Sequence, residues 1–108
     1  ILLLSVSQDG HIASLFPGNS VLQENSRSVV PVVGPISTLN RLTIAPLVIH
    51  SAKSTFLFVI GKEKGRILAQ ALKSPNNIAL LPVRLVLGTT WVLDSDATEQ
   101  INNMTLND

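Results

Sequence analysis

Two short runs of large apolar residues, at positions 1–4 and 56–60, constrain the fold of this chain most strongly. Each run suits a strand that is covered on both faces of a sheet. Segments with helical spacing lie between the strand-like runs, and this alternation is typical of β-α-β units. The sequence therefore predicts an α/β fold with an open, mainly parallel sheet flanked by helices.

The positions of apolar residues, prolines and glycines predict where the individual elements lie. Strands are predicted at residues 1–7, 28–33, 41–44, 54–60 and 91–93. Helices are predicted at residues 45–53, at residues 62–73, and as short segments before Pro17 and around residues 21–25. A last helix is predicted to run through Asn103, with Asp94 or Ser95 as its N-terminal cap. Pro35 and Pro75 are expected to interrupt the elements that precede them.

Composition and charge limit the class of protein. A length of 108 residues allows one domain or part of one. The net charge is +1 and the basic residues are scattered, so we expect no nucleic-acid partner. No apolar run approaches the ~18 residues of a membrane span, so we expect no membrane partner.

The absence of cysteine excludes disulfides, thiol nucleophiles and zinc–thiolate sites. With two histidines and carboxylates that lie far apart in the sequence, we expect no dedicated metal site. The sequence also lacks a phosphate-loop signature for nucleotides, and no cofactor is predicted. A chain without cysteine is compatible with a reducing compartment, and we expect a cytoplasmic location.

The first predicted strand runs directly into Asp9-Gly10-His11. A histidine can take up or release a proton near neutral pH, and Asp9 could orient it or contact a ligand. Gly10 permits a tight turn and a close approach of the ligand. From these residues alone, a loop histidine that caps the following helix or binds a backbone carbonyl stays open as an alternative.

The second strong strand is followed by Gly61-Lys62-Glu63-Lys64. Backbone N–H groups at the start of a helix, together with an ammonium group, suit a phosphate. A solvated first turn with two surface lysines is the alternative, and Arg41 taken alone is typical of a surface arginine. Both clusters are expected to face one crevice, because ligands of parallel sheets bind beyond the carboxyl ends of the strands.

Residues 9–17 read Asp-Gly-His-Ile-Ala-Ser-Leu-Phe-Pro, and this run resembles the signature of the 6-phosphogluconolactonase family. The resemblance continues in short segments as far as Trp91-Val92-Leu93-Asp94 and covers nearly the whole chain. It implies a Rossmann-like sheet. It also implies that residues 1–108 are the C-terminal half of a single lactonase-like domain, without the N-terminal half and its phosphate loop.

The resemblance implies hydrolysis of 6-phosphogluconolactone to 6-phosphogluconate in the pentose phosphate pathway. His11 would activate water, or relay its proton, for attack on the lactone carbonyl, and Asp9 would orient His11 or contact the sugar. Arg41 and Lys64 match the positions that hold the substrate phosphate. The small-molecule lactone is the implied partner, and the family also implies cooperation with, or fusion to, the glucose-6-phosphate dehydrogenase that makes the substrate.

Gly10 and Gly61 belong to the loops along which the substrate would approach. Members of the family usually carry Gly-x-Gly before the Asp-Gly-His, whereas this chain has Ser-Val-Ser-Gln at residues 5–8. The side chains at these positions could narrow the approach.

Two other functions stay open. Half a domain is expected to be a poor catalyst alone, so a non-catalytic remnant that binds a sugar phosphate or has a structural role is one alternative. The related glucosamine-6-phosphate deaminase is the other, because it shares the Asp-Gly-His. Its signature places an acid five residues after the histidine, where this chain has Phe16, and the lactonase is preferred.

Overall fold

A computed structural model of the chain describes residues 1–34, 40–74 and 76–107. The strands are β1 (Leu2–Ser5), β2 (Val29–Val33), β3 (Asn40–Ile44), β4 (Thr55–Val59) and β5 (Thr90–Leu93). The α-helices are α1 (Pro46–Ser51), α2 (Lys62–Lys73) and α3 (Ser95–Asn107), and 3-10 helices cover Ser20–Gln23 and Pro82–Val86. The interruptions predicted at Pro35 and Pro75 lie outside the described residues.

Three of these strands form a parallel sheet in the order β1-β4-β5, which confirms the predicted α/β fold. In this register Leu4 pairs with Leu57, and Leu57 pairs with Trp91. Parallel neighbours end at the same edge of a sheet. The residues that follow β1 and β4 therefore leave the sheet side by side.

The other two strands, β2 and β3, form a separate antiparallel ribbon. The predicted alternation of β-α-β units does not extend to them. Residues 34–39 connect the two strands, and a parallel crossover needs about a dozen residues or more. Two strands this close in the sequence can pair with each other only in the antiparallel direction.

Helices α2 and α3 cover one face of the parallel sheet. Leu4, Leu57 and Val59 point into this side and are almost completely buried. Leu68 of α2 and Ala97 of α3 pack into the same cluster. The inward side chains of the ribbon belong to the same cluster, so the sheet, the helices and the ribbon share one core.

The opposite face of the parallel sheet is only partly covered. Leu3 is 63% exposed and Val92 is 38% exposed, and Phe56 and Phe58 are half-buried. The prediction that the first strand is covered on both faces is therefore wrong within this chain, because α2 and α3 both pack on the other side. None of the helices in the described part of the chain has the length and hydropathy needed to cross a bilayer.

The segment between β1 and Pro17 consists of tight turns, and the short helix predicted there is absent from the structure. Ile12 forms isolated bridges with Val6 and with Leu15. Ala13 has a φ of 50°, which interrupts a right-handed helix. Ile12 and Leu15 are fully buried, so core packing overrides the local helical preference.

The turn that carries Gly10 is closed by its own backbone and held by a second loop. The Gly10 N–H donates to the Ser7 carbonyl at 2.9 Å, and the Ser7 N–H donates to the His11 carbonyl at 3.0 Å. From the second loop, the Val83 N–H donates to the Gly10 carbonyl at 2.9 Å. Gly10 has a φ of 88°, and a Cβ there would lie 2.5 Å from Cδ2 of Leu81. This turn therefore requires glycine.

Asp94 joins the turn after β4 to the start of α3. Its carboxylate accepts the Ala97 N–H at 2.9 Å, as expected for the cap of the last helix. It also accepts the Gly61 N–H, at 3.1 Å and 3.0 Å from its two oxygens. The hydrogen bond from Ala97, followed by that from Gly61, lowers the pKa of Asp94.

We expect Gly10→Ala to lower the free energy of unfolding by roughly 1–3 kcal/mol, because alanine is strained at positive φ and the buried Leu81 must move. Gly18→Ala is the matched control: Gly18 has a φ of 72°, but nothing lies within 4 Å of its added Cβ. Urea denaturation measures both variants. Equal losses in the two would contradict the role of the Leu81 contact.

We expect Asp94→Asn to lower the melting temperature at pH 7, because the amide carries no negative charge and places an NH2 group, itself a donor, where the second carboxylate oxygen accepts the Gly61 N–H. With its pKa lowered in the folded state, Asp94 contributes stability above its unfolded value of about 3.9, and this contribution is lost as the pH falls through the folded pKa. Thermal unfolding between about pH 7 and pH 2 should therefore show the two proteins converging in acid. A difference that does not change with pH would contradict this origin.

Candidate active site

Asp9 and His11 form a hydrogen-bonded pair beyond the carboxyl end of β1. Oδ1 of Asp9 lies 2.5 Å from Nδ1 of His11 and also accepts the His11 backbone N–H at 3.1 Å. When Nδ1 donates to Asp9, Nε2 is the basic nitrogen of the ring. The His11 side chain is 21% exposed, so a small molecule can reach an imidazole whose orientation is fixed.

The Phe16 ring brings Arg41 close to this pair. The centroids of the Phe16 and His11 rings are 4.5 Å apart, and Cζ of Arg41 lies 5.5 Å from the Phe16 centroid. A guanidinium group over an aromatic face is a favourable contact. Because Phe16 is buried, it holds the imidazole and the guanidinium group against one fixed side chain.

The Arg41 side chain passes over Gly34. A Cβ at Gly34 would lie 3.3 Å from Nε of Arg41, so the absence of a side chain leaves room for the guanidinium stem. In the described part of the chain no carboxylate pairs with Arg41, and no three His, Asp or Glu side chains come close enough to share a metal ion. A guanidinium group that no described carboxylate neutralises can bind an anion.

Thr43 connects the loop of His11 to the ribbon of Arg41. Its Oγ1 accepts the Ser14 N–H at 3.1 Å and donates to the Ile44 carbonyl at 3.0 Å. Thr43 is buried, so these hydrogen bonds satisfy a hydroxyl group that is removed from water.

Lys64 lies in the first turn of α2 and is half-buried. Since β1 and β4 are parallel neighbours, Lys64 and His11 follow the ends of adjacent strands. Among the described residues no hydrogen bond or ion pair joins Lys64 to Asp9, His11 or Arg41. The structure thus brings Asp9, His11 and Arg41 together and leaves Lys64 at the same edge of the sheet.

Gly61 has a different environment from the one its sequence pattern indicated. Its N–H donates to the Asp94 carboxylate and is therefore not free for a phosphate. The N–H groups that this turn can offer are those of the first residues of α2, which have no carbonyl partner within the helix. Asp94 holds the turn that presents them.

Three residues of this arrangement received no individual functional role from the sequence: Phe16, Thr43 and Asp94. Phe16 lies within the Asp-Gly-His run, but nothing in the run shows that its ring touches Arg41. Thr43 occupies an inward position opposite the buried Val30, and a polar residue at such a position is the signal that could have found it. Asp94 was recognised only as a helix cap.

Comparison with known proteins identifies the family. The chain matches the family model described as glucosamine-6-phosphate isomerases/6-phosphogluconolactonase over residues 1–93. It is 34% identical to a 6-phosphogluconolactonase of Streptomyces coelicolor, over 94% of this chain and 40% of that protein. Two solved structures are similar to this chain. The devB protein has a TM-score of 0.80 and 34% sequence identity, and the match covers 92% of this chain and 43% of that one. The 6-phosphogluconolactonase of Trypanosoma brucei has a TM-score of 0.75 and 25% identity, and the match covers 92% of this chain and 41% of that one.

The chain spans about 40% of the length of the Streptomyces relative and a similar share of both structural relatives. The matched residues include Asp9, His11, Arg41 and Lys64. The chain therefore belongs to the family of glucosamine-6-phosphate isomerases and 6-phosphogluconolactonases.

Proposed function

We propose that this chain carries the histidine-bearing part of a lactonase active site, and that the protein hydrolyses 6-phosphogluconolactone to 6-phosphogluconate in the pentose phosphate pathway. The observation that carries the proposal is the Asp9–His11 pair, whose imidazole contacts the same Phe16 ring as the guanidinium group of Arg41. A general base next to a phosphate-binding cation suits an ester that bears a phosphate. The relatives named 6-phosphogluconolactonase support the reaction class.

In the proposed reaction His11 is the general base. Its Nε2 takes a proton from a water molecule as the water oxygen attacks the lactone carbonyl carbon. Asp9 stabilises the imidazolium that forms and keeps the ring oriented. The tetrahedral intermediate then expels the ring oxygen of the lactone, and His11 returns the proton to that oxygen. One water is consumed, the ester bond breaks and a carboxylic acid forms.

Arg41 and Lys64 are the proposed phosphate ligands. A guanidinium group can bind two phosphate oxygens at once, and an ammonium group adds a point charge. Holding the phosphate would fix the lactone carbonyl with respect to His11. Gly10 and Gly61 are proposed to border the approach of the substrate, and no cofactor takes part. A cytoplasmic location and cooperation with glucose-6-phosphate dehydrogenase belong to the same proposal.

Binding of a sugar phosphate without turnover is the second candidate. It is favoured by Ser-Val-Ser-Gln at residues 5–8, whose side chains would narrow the approach to His11. A deaminase is less well supported, because Phe16 occupies the position of the deaminase acid and packs against His11.

We expect His11→Asn to slow hydrolysis of freshly prepared 6-phosphogluconolactone by about 100-fold or more, which is typical for loss of a general base. His50→Asn is the control, since His50 is exposed at the end of α1. Proton release, corrected for spontaneous hydrolysis, measures the rates. Equal rates for the parent protein and His11→Asn would contradict the role of His11 as the general base. If the parent protein binds a phosphosugar but does not catalyse hydrolysis, the second candidate is correct.

We expect Arg41→Ala and Lys64→Ala each to weaken binding of 6-phosphogluconate by roughly 10- to 100-fold, the usual effect of losing a charged hydrogen-bond partner. Lys53→Ala is the control, because Lys53 is an exposed lysine before β4, at the opposite edge of the sheet. Isothermal titration calorimetry gives the affinities. A residue whose replacement leaves the affinity unchanged is not a phosphate ligand.

A further inference from the structure

Thr43 is a polar residue in a position where an apolar residue would be expected. It is 4% exposed, and its partner across the ribbon is the buried Val30. Valine has nearly the same shape as threonine and would fill this place without a polar group. The hydroxyl group nevertheless forms two hydrogen bonds, from the Ser14 N–H and to the Ile44 carbonyl. The hydroxyl group therefore does more than fill space.

The two groups of the proposed site lie on different elements. His11 belongs to the loop after β1, and Arg41 belongs to β3 of the ribbon. Arg41 and Thr43 are two residues apart on one strand, so their side chains point to the same side of the ribbon. Both contact the same loop, since Arg41 lies over the ring of Phe16 and Thr43 binds the backbone of Ser14.

We propose that Thr43 is a positioning residue that sets the separation of His11 and Arg41. The Arg41–Phe16 contact is a cation–π contact, which is less directional than a hydrogen bond, whereas the hydrogen bond from Ser14 to Thr43 fixes one point of the loop on β3. A substrate that must reach the histidine with its carbonyl and the arginine with its phosphate requires a fixed separation, because small displacements of reacting groups lower the rate strongly. This role rests on the proposed function.

Two substitutions separate positioning from packing. Thr43→Val keeps the volume but removes the hydroxyl and leaves the Ser14 N–H without its acceptor. Thr43→Ser keeps the hydroxyl but removes a buried methyl group. If Thr43 is needed only for packing, the serine variant should lose more activity than the valine variant. If the hydroxyl group positions the loop, the valine variant should lose more. Thr55→Val is the matched control, because Thr55 is also buried but lies at the start of β4, away from the loop.

We expect Thr43→Val to lower kcat/KM for the lactone about 10-fold or more, with Thr43→Ser and Thr55→Val within about twofold of the parent protein. The loss in Thr43→Val should appear in kcat as well as in KM, because the carbonyl and the phosphate can no longer be bound at their proper sites together. The melting temperature of each variant shows whether a loss of activity is due to a loss of stability. Full activity in Thr43→Val, or an equal loss in Thr43→Ser, would overturn the proposal.

A measurement without substrate distinguishes this proposal from the proposed function. In amide hydrogen exchange followed by NMR, Thr43→Val should speed exchange of the Ser14 N–H at least 10-fold. In the NMR spectrum of the same variant, the ring resonances of His11 should shift. Thr43→Ser should leave the exchange rate and the resonances close to those of the parent protein. If the parent protein neither binds 6-phosphogluconate nor hydrolyses the lactone, the proposed function fails while exchange still tests the link. Unchanged exchange at Ser14 and unchanged His11 resonances in Thr43→Val would overturn the link itself.

Discussion

Parallel pairing of β1 with β4 places the ends of two strands side by side, and the positions of Asp9, His11 and Lys64 depend on it. His11 follows one of these strands and Lys64 follows the other. The pairing is stabilised on one face by buried aliphatic side chains and by α2 and α3. Polar groups beyond the strand ends can therefore serve ligand binding, because the core beneath them does not depend on their hydrogen bonds.

The loop after β1 is held by two neighbouring segments, the loop at Leu81 and Val83 and strand β3. The loop at Leu81 and Val83 supports Gly10 through van der Waals contact and a backbone hydrogen bond. Thr43 binds the loop through its hydroxyl group, and Arg41 lies over the ring of Phe16. Inside this frame, the carboxylate of Asp9 orients the imidazole of His11. These contacts fix the orientation of His11 before a ligand arrives, as the proposed role of general base requires.

One face of the parallel sheet is exposed, and the chain spans only part of the length of its relatives. Apolar residues at Leu3 and Val92 remain accessible to solvent, while the chain matches only about 40% of the Streptomyces lactonase. Parallel sheets in α/β proteins are usually covered on both faces. Burial of the first strand on both faces is typical of α/β domains in general. In the described residues, helices cover only one face of the sheet.

The sequence by itself determined the α/β class, the parallel strands at residues 1–7 and 54–60, the helix at residues 62–73 and the run around His11, because these features depend on local periodicity and on residues close together in the chain. Only the tertiary structure decided that residues 12–16 form turns, since the burial of Ile12 and Leu15 outweighs helical preference. It also decided the contact of Arg41 with Phe16 and the hydrogen bonds of Thr43 and Asp94. These contacts join residues that are far apart in the sequence. They form only when separate elements pack together, so a local sequence pattern cannot predict them.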